Sequence, residues 1–202
     1  PHQASVFRFS ISFQPGQRYI QFPNTRVPVG SKWPTLSFRF SKGLNGLLGS
    51  DVDFDKWQFD VTDDRNLRLL GQLHYKIGAG GFLNSKKVFI QDYQHFNGNE
   101  TPVASQYVNS FQVANYYQNS TTARFYNIAH LEHHFNGLLT NKIPGFRKLK
   151  WNLVGGANTF YVDKDKNYLD VFVGLENIFK IFRLDWVASR YNNLWQPAVL
   201  RL

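Results

Sequence analysis

Residues 6–14 of the chain read VFRFSISFQ and alternate strictly between apolar and polar side chains. Phe7, Phe9, Ile11 and Phe13 occupy every second position, and Arg, Ser and Gln residues fill the positions beside them. Because successive side chains of a β-strand point to opposite faces, this spacing predicts a strand with one apolar face and one polar face. The stretch therefore favours a sheet rather than a bundle of helices.

The same alternation recurs along the chain and predicts about nine strands. These are Val6–Gln14, Thr35–Ser41, Lys56–Thr62, Asn66–Gly78, Ala123–Phe135, Lys148–Tyr161, Tyr168–Glu176, Phe182–Ser189 and Leu194–Leu202. No segment has the periodicity of an amphipathic helix, so the predicted class is all-β and antiparallel. Several segments reach the roughly 9–11 residues that a membrane-spanning strand needs, against about 5–6 in soluble sandwiches. We therefore expect a transmembrane β-barrel region that occupies residues 1–202 as one domain.

Composition excludes several other classes of protein. The 202 residues include 23 Lys+Arg, 14 Asp+Glu and no Cys or Met, which gives a net charge of +9, and 17% are aromatic. Without Cys there is no disulfide framework and no thiol nucleophile, and the aromatic content excludes intrinsic disorder. No run approaches the roughly 18 apolar residues of a membrane-spanning helix. Because the chain starts with Pro1 rather than Met, we expect it to be a piece of a longer protein.

One segment, at about residues 79–122, lacks the alternation. Long connections without periodicity are uncommon in compact domains and are usually functional or disordered. The aromatic and Asn-rich content of this connection favours a packed loop, and we expect it to fold into the lumen of the barrel. The residues that we expect inside the lumen are Asp92, Tyr93, His95, Phe96, Asn97 and Gly98.

Charged side chains on the polar faces of the later strands form the candidate site. Arg183 and Asp185 lie on the face that is predicted to point into the barrel. Buried charges need partners, so we expect Arg183 to meet an acidic residue, with Glu176 and Asp92 as candidates. The expected role is structural: a polar latch inside the barrel.

His130, Glu132 and His134 share one face of a predicted strand at successive steps of about 6.6–7 Å. Two imidazoles and a carboxylate are ligands for zinc or iron. The spacing along a single strand is too wide for one ion without a bulge, so we expect no metal and no cofactor. The predicted latch then consists of Arg183, Asp185, Glu176, Glu132, His130 and His134.

Other chemistry has weaker support in the sequence. No Gly-x-Ser-x-Gly motif surrounds any serine, and we expect no enzymatic activity. Asp51, Asp53 and Asp55 have the spacing of a calcium loop but lack its glycine and distal glutamate. The Lys and Arg residues are dispersed and no binding motif accompanies them, so we expect no nucleic-acid partner. Basic residues at strand ends suit the anionic head groups of outer-membrane lipid.

Several motifs resemble those of a Bacteroidota-type uncharacterised family, whose members carry a carboxypeptidase-regulatory-like domain upstream of a barrel region. The matching motifs are Asp92–Asn99 (DYQHFNGN), His130–Phe135 with Asn136-Gly137, Asn141–Pro144 (NKIP) and Gly174–Arg183 (GLENIFKIFR). The segment Phe182–Ala188 is similar to the near-C-terminal strand of outer-membrane assembly-factor (surface-antigen) β-barrels. The resemblance is clearest between about Gly78 and Arg190.

The resemblance implies the C-terminal part of a sixteen-stranded barrel with the long loop in its lumen. The missing strands would come from upstream sequence or from a partner chain, because open sheet edges do not persist in lipid. The implied role is membrane-protein assembly or translocation, or membership of an envelope complex with other envelope proteins, in the Gram-negative outer membrane. The residues alone leave one alternative open: a soluble all-β sandwich or lipocalin-like protein that binds a hydrophobic or carbohydrate ligand.

Overall fold

A computed structural model of the chain describes residues 3–138 and 140–202 and confirms the all-β, antiparallel class. Pro1, His2 and Leu139 lie outside the described residues. The described residues form twelve strands: β1 (Val6–Phe13), β2 (Arg18–Gln21), β3 (Arg26–Gly30), β4 (Thr35–Gly43), β5 (Asp53–Asn66), β6 (Gln72–Lys87), β7 (Tyr126–His134), β8 (Asn152–Asp163), β9 (Lys166–Ile178), β10 (Phe182–Tyr191), β11 (Leu194–Trp195) and β12 (Val199–Arg201).

Across residues 3–138 and 140–202, helical structure is limited to short pieces. One α-helix, α1 (Pro144–Leu149), precedes β8, and 3-10 turns cover Leu47–Gly49, Arg68–Leu70, Ile90–Asp92 and Thr140–Lys142. Over the ranges that the structure describes, no helix is both long and apolar enough to cross a membrane.

One ten-stranded antiparallel sheet dominates the fold, in the order β1-β4-β5-β6-β7-β8-β9-β10-β11, and β12 also pairs with β10. β2 and β3 form a separate two-stranded hairpin. From β4 to β10 each strand pairs with the next one in the chain, which makes this part a simple meander. Within the described residues, β1 has β4 as its single partner in the sheet, so the sheet is open and does not close into a barrel.

The two faces of this sheet have an unusual distribution of polarity. On one face of the sheet the apolar side chains are exposed to solvent. The exposed fraction is 48% for Phe9, 54% for Ile77 and 62% for Trp186. Strand register places such side chains beside one another, as in the pairs Ile11–Phe38 and Val173–Trp186. We call this surface the apolar face. A sheet of a water-soluble protein would bury such a surface against a second layer of structure.

The opposite, largely polar face is covered over β7 to β10 by the connection between β6 and β7, whereas β1 is exposed on both faces. This connection, residues 88–125, is called the inserted segment below. Its Phe96, Phe111 and Ala114 pack against Tyr126, Ile128, Phe160 and Tyr168 of the sheet. The Phe96 and Phe160 rings stack with centroids 4.2 Å apart and planes 6° from parallel. The core of the protein therefore lies between the inserted segment and the sheet.

The boundary of this connection differs from the expected one, which was about 79–122. The glycine run at residues 78–81 lies inside β6, which extends to Lys87 and is 16 residues long. A β-carbon at Gly80 would overlap Tyr126, and one at Gly81 would overlap the carbonyl of Arg124. Glycine hides the alternation because it has no side chain, and these glycines let neighbouring groups approach the strand closely.

Three further differences have local causes. Lys148 and Leu149, which were expected to begin a strand, belong to α1, because Pro144 suits the first turn of a helix. The expected strand Leu194–Leu202 is divided into β11 and β12, with Pro197, which has no N–H to donate, between them. The hairpin of β2 and β3 was not expected, because its strands have only four and five residues.

Candidate functional site

The polar latch expected from the sequence is centred on Arg183 of β10. Its Nε lies 2.7 Å from Oδ2 of Asp185, and its Nη1 lies 2.5 Å from Oε1 of Glu132 on β7. Strands β8 and β9 separate β7 from β10, so the guanidinium spans several strands. Gly156 and Gly174 on these intervening strands leave no side chain in its way, and a β-carbon at Gly174 would overlap the Asp185 carboxylate. Gly174 therefore leaves the space that the Asp185 carboxylate occupies.

Tyr107 connects the inserted segment to this cluster. Its hydroxyl donates a 2.6 Å hydrogen bond to Oδ2 of Asp185, and Cζ of Arg183 lies 4.2 Å from the centre of its ring. The ring also contacts Phe172, with centroids 4.0 Å apart. Burial and the bond to Asp185 raise the pKa of the Tyr107 hydroxyl, so it remains protonated and continues to donate. The latch therefore fixes the inserted segment to β10.

The histidines and Glu176 extend the cluster but pair differently from the expectation. Nδ1 of His134 lies 2.7 Å from Oε2 of Glu176, and its Nε2 lies 3.5 Å from Oε1 of Glu132. Arg183 pairs with Glu132 and Asp185 and not with Glu176, which His134 contacts. Nδ1 of His130 lies 2.9 Å from Oδ1 of Asn158, away from the guanidinium.

A second attachment of the inserted segment was not expected from the sequence. The fully buried carboxylate of Asp170 accepts hydrogen bonds from the backbone N–H of Gln112 at 2.9 Å, from Asn158 at 2.7 Å and from the Tyr168 hydroxyl at 3.1 Å. The alternation of side chains along its strand was enough to place Asp170 on the polar face. Its partner Gln112 was not, because the inserted segment has no periodicity that would fix which of its residues face the sheet.

The residues expected in the lumen all belong to the first part of the inserted segment. The carbonyl of Tyr93 accepts a 3.1 Å hydrogen bond from Nζ of Lys56, and Nδ1 of His95 lies 2.7 Å from the Ser120 hydroxyl. Asn97 donates to the carbonyl of Asn109 at 3.1 Å. The structure further places Phe96 in the core, Gly98 against the Ala114 backbone, and one Asp92 carboxylate oxygen buried without a hydrogen-bond partner among the described residues.

The expected role of Asp92 as a partner of Arg183 is wrong. Arg183 bonds to Glu132 and Asp185, whereas Asp92 is close enough to Lys56 to interact with it electrostatically. Asp92 and the latch therefore belong to different parts of the polar face.

The cluster is suited to holding two parts of the protein together. Its carboxylates face a guanidinium, an imidazole and a phenol, and Asp185 is fully buried. In the part of the chain that the structure describes, no group of three or more His, Asp or Glu side chains could hold a metal ion. The geometry therefore supports an internal latch that fixes the inserted segment against the sheet.

Comparison with known families gives one match. A family model described as the C-terminal domain of a family of unknown function (DUF5686) matches residues 1–175. The matched residues include Glu132, His134, Tyr107 and Asp170, whereas β10 with Arg183 and Asp185 follows them in the chain. No curated protein and no solved structure matches the chain.

Proposed function

The chain belongs to the DUF5686 C-terminal domain family, and we propose that this domain forms part of the wall of a β-barrel in the Gram-negative outer membrane. Its role is non-enzymatic: assembly or translocation of membrane proteins, or membership of an envelope complex. The observation that carries the proposal is the inverted sheet, whose apolar face is exposed while its polar face is covered by the inserted segment over β7 to β10.

An exposed apolar face of this extent is unfavourable in water. Soluble monomers rarely expose contiguous apolar patches larger than a few hundred Å², and burial of apolar surface contributes about 25 cal/mol per Å². Here exposed apolar side chains continue from Phe9 on β1 through Ile77 on β6 to Trp186 on β10. Hydrocarbon removes this surface from water without a second protein layer. Membrane-spanning barrels place apolar residues outside and polar residues inside, as this sheet does.

Strand length gives independent support. β5 has 14 residues, β6 has 16 and β9 has 13. A tilted strand crosses the hydrocarbon core with about 9–11 residues, so these strands are long enough to cross it and to continue beyond it.

The proposal requires further strands. In lipid the free edge of β1 would leave backbone N–H and C=O groups without hydrogen bonds. Strands from a longer form of the protein or from a partner chain would therefore pair with β1. The inserted segment packs on the interior side, so we expect it to occupy the lumen, which favours a role in assembly or as a scaffold over that of an open pore.

Labelling by strand parity tests the membrane location. The sequence has no cysteine, so each introduced cysteine is the single reactive thiol in the chain. The substitutions Phe9→Cys and Phe38→Cys place a thiol on the apolar face. The matched controls, Ser10→Cys and Ser37→Cys, place it on the other face at the neighbouring positions. Each variant of the intact protein is labelled with an environment-sensitive fluorophore and reconstituted into vesicles that contain doxyl-labelled lipid.

We expect lipid quenching at the Phe9 and Phe38 positions and little at the Ser10 and Ser37 positions. Equal quenching at both parities would overturn the proposal, as would absence of quenching at all four positions. Recovery of the intact protein in the soluble fraction without detergent would instead favour the soluble ligand-binding alternative.

A further inference from the structure

A cavity of about 530 Å³ lies between the polar face of the first half of the sheet and the inserted segment. Its wall contains four basic side chains, Arg8, Arg39, Lys56 and Lys76, which come from β1, β4, β5 and β6. We call it the basic cavity. Of the latch residues, His130 also lines this cavity, whereas Glu132, His134, Glu176, Arg183 and Asp185 do not.

Three of the four cations donate their hydrogen bonds to neutral groups. Lys56 donates to the carbonyl of Tyr93 at 3.1 Å, and Lys76 donates to the side-chain oxygen of Asn109 at 3.1 Å. Arg39 donates a long hydrogen bond of 3.4 Å to the side-chain oxygen of Gln58. The guanidinium of Arg8, whose backbone pairs with Ser41, makes no hydrogen bond or ion pair within the part of the chain that the structure describes.

The acidic side chains near the cavity do not compensate this charge. Asp92 is in the wall, and Asp60 accepts hydrogen bonds from Gln58 at 2.9 and 3.1 Å. Even if both carboxylates are counted against Arg8, Arg39, Lys56 and Lys76, the net charge is 4 − 2 = +2. The latch pairs its guanidinium with two carboxylates, so the missing counter-charge is particular to this half of the sheet.

Like charges that converge on a partly enclosed space repel one another, and an anion between them removes that repulsion. The planar guanidinium groups match phosphate geometry, and the lysines add point charges. Phe54 and Phe96 add aromatic surface to the same wall. The volume lies within the roughly 300–1,000 Å³ of sites that bind small molecules.

We propose that the basic cavity binds a ligand that carries two or more phosphate groups, either on a lipid head group or on a soluble molecule. This binding is separate from the membrane location proposed above, because the cavity lies on the face opposite to the lipid-facing one.

The test is binding to the intact purified protein, measured by titration calorimetry with inorganic tripolyphosphate and, in a second arm, with detergent micelles that contain cardiolipin, whose head group carries two phosphates. Micelles with phosphatidylcholine in place of cardiolipin control for the second arm. The main variant is Arg8→Gln/Arg39→Gln, which changes two exposed side chains and leaves the core intact. The matched control is Arg147→Gln/Lys148→Gln on α1, which removes the same charge from an exposed surface outside the cavity.

We expect the cavity variant to weaken binding at least about tenfold, since two charge-assisted hydrogen bonds are lost. The control variant should weaken it less than about twofold, because exposed charges contribute little. Lys56→Gln supplies a third variant that removes a cation from the floor of the cavity, and circular dichroism verifies that each variant is folded.

Binding in the tripolyphosphate arm identifies a soluble ligand class, and binding in the cardiolipin arm alone identifies a lipid head group. The proposal is overturned if the unmodified protein binds neither probe, or if the control variant weakens binding as much as the cavity variant. The fluorescence quenching experiment does not depend on either result, so the two proposals can fail separately.

Discussion

Substitution of Arg183 by methionine tests the latch most directly. Arg183→Met keeps most of the aliphatic stem and removes the guanidinium that contacts Glu132 at 2.5 Å and Asp185 at 2.7 Å. The Asp185 side chain is fully buried, so its charge is left without its cation. Loss of one partner from a buried pair costs about 3–5 kcal/mol. Because 23% of the Arg183 side chain is exposed to solvent, we expect the lower end, about 3 kcal/mol.

The measurement is equilibrium unfolding of the intact protein in urea and detergent micelles, followed by tryptophan fluorescence. Tyr107→Phe removes only the hydrogen bond to Asp185 and should lower the free energy of unfolding by about 1.5–3 kcal/mol. Because both residues contact Asp185, the effects in the double variant should not add. Arg147→Met, at an exposed position on α1, should change stability by less than about 0.5 kcal/mol. If Arg183→Met behaves like Arg147→Met, the latch does not hold the structure together.

Three further predictions concern the inserted segment, a close contact and the apolar face. Asp170→Asn weakens the charge-assisted bonds at the second attachment, so we expect faster proteolysis of the inserted segment; an unchanged rate would contradict that attachment. Gly81→Ala should lower the yield of folded protein because its β-carbon overlaps neighbouring backbone, whereas Gly145→Ala, with open space around it, should not. Val173→Arg should lower the free energy of unfolding in vesicles by up to about 2–4 kcal/mol if this position faces lipid. A change below about 0.5 kcal/mol would indicate that the position faces water.

Alternation was sufficient to predict the class of fold, because each strand of the meander has side chains of two distinct polarities. It failed where the side chain is missing or the strand is short. The glycines at 78–81 erased the pattern inside β6, so the predicted connection began too early. β2 and β3 are too short for a two-residue period to be recognised, and Pro28 interrupts the second of them.

The alternation of side chains also predicted that the charged residues of the site share one face of the sheet. It could not predict which of these residues pair with one another. Whether Arg183 meets Glu176 or Glu132 depends on the lateral register of β7 to β10 and on the space left by Gly156. No local pattern in the sequence encodes that register. Tyr107 could not be found for a different reason: it lies in an aperiodic segment, where nothing distinguishes a residue that faces the sheet from one that faces solvent.

The uneven pairing of charges connects the net charge of +9 to the architecture. Around the latch, carboxylates on β7, β9 and β10 contact Arg183 or His134. The inserted segment can therefore pack directly against that half of the polar face. Around the basic cavity, cations outnumber carboxylates, and the same segment leaves a space. A segment that served only to fill the interior would not need this difference. The middle of the inserted segment is anchored by Tyr107 and Gln112, and this anchoring holds its first part, at residues 91–97, along the basic cavity.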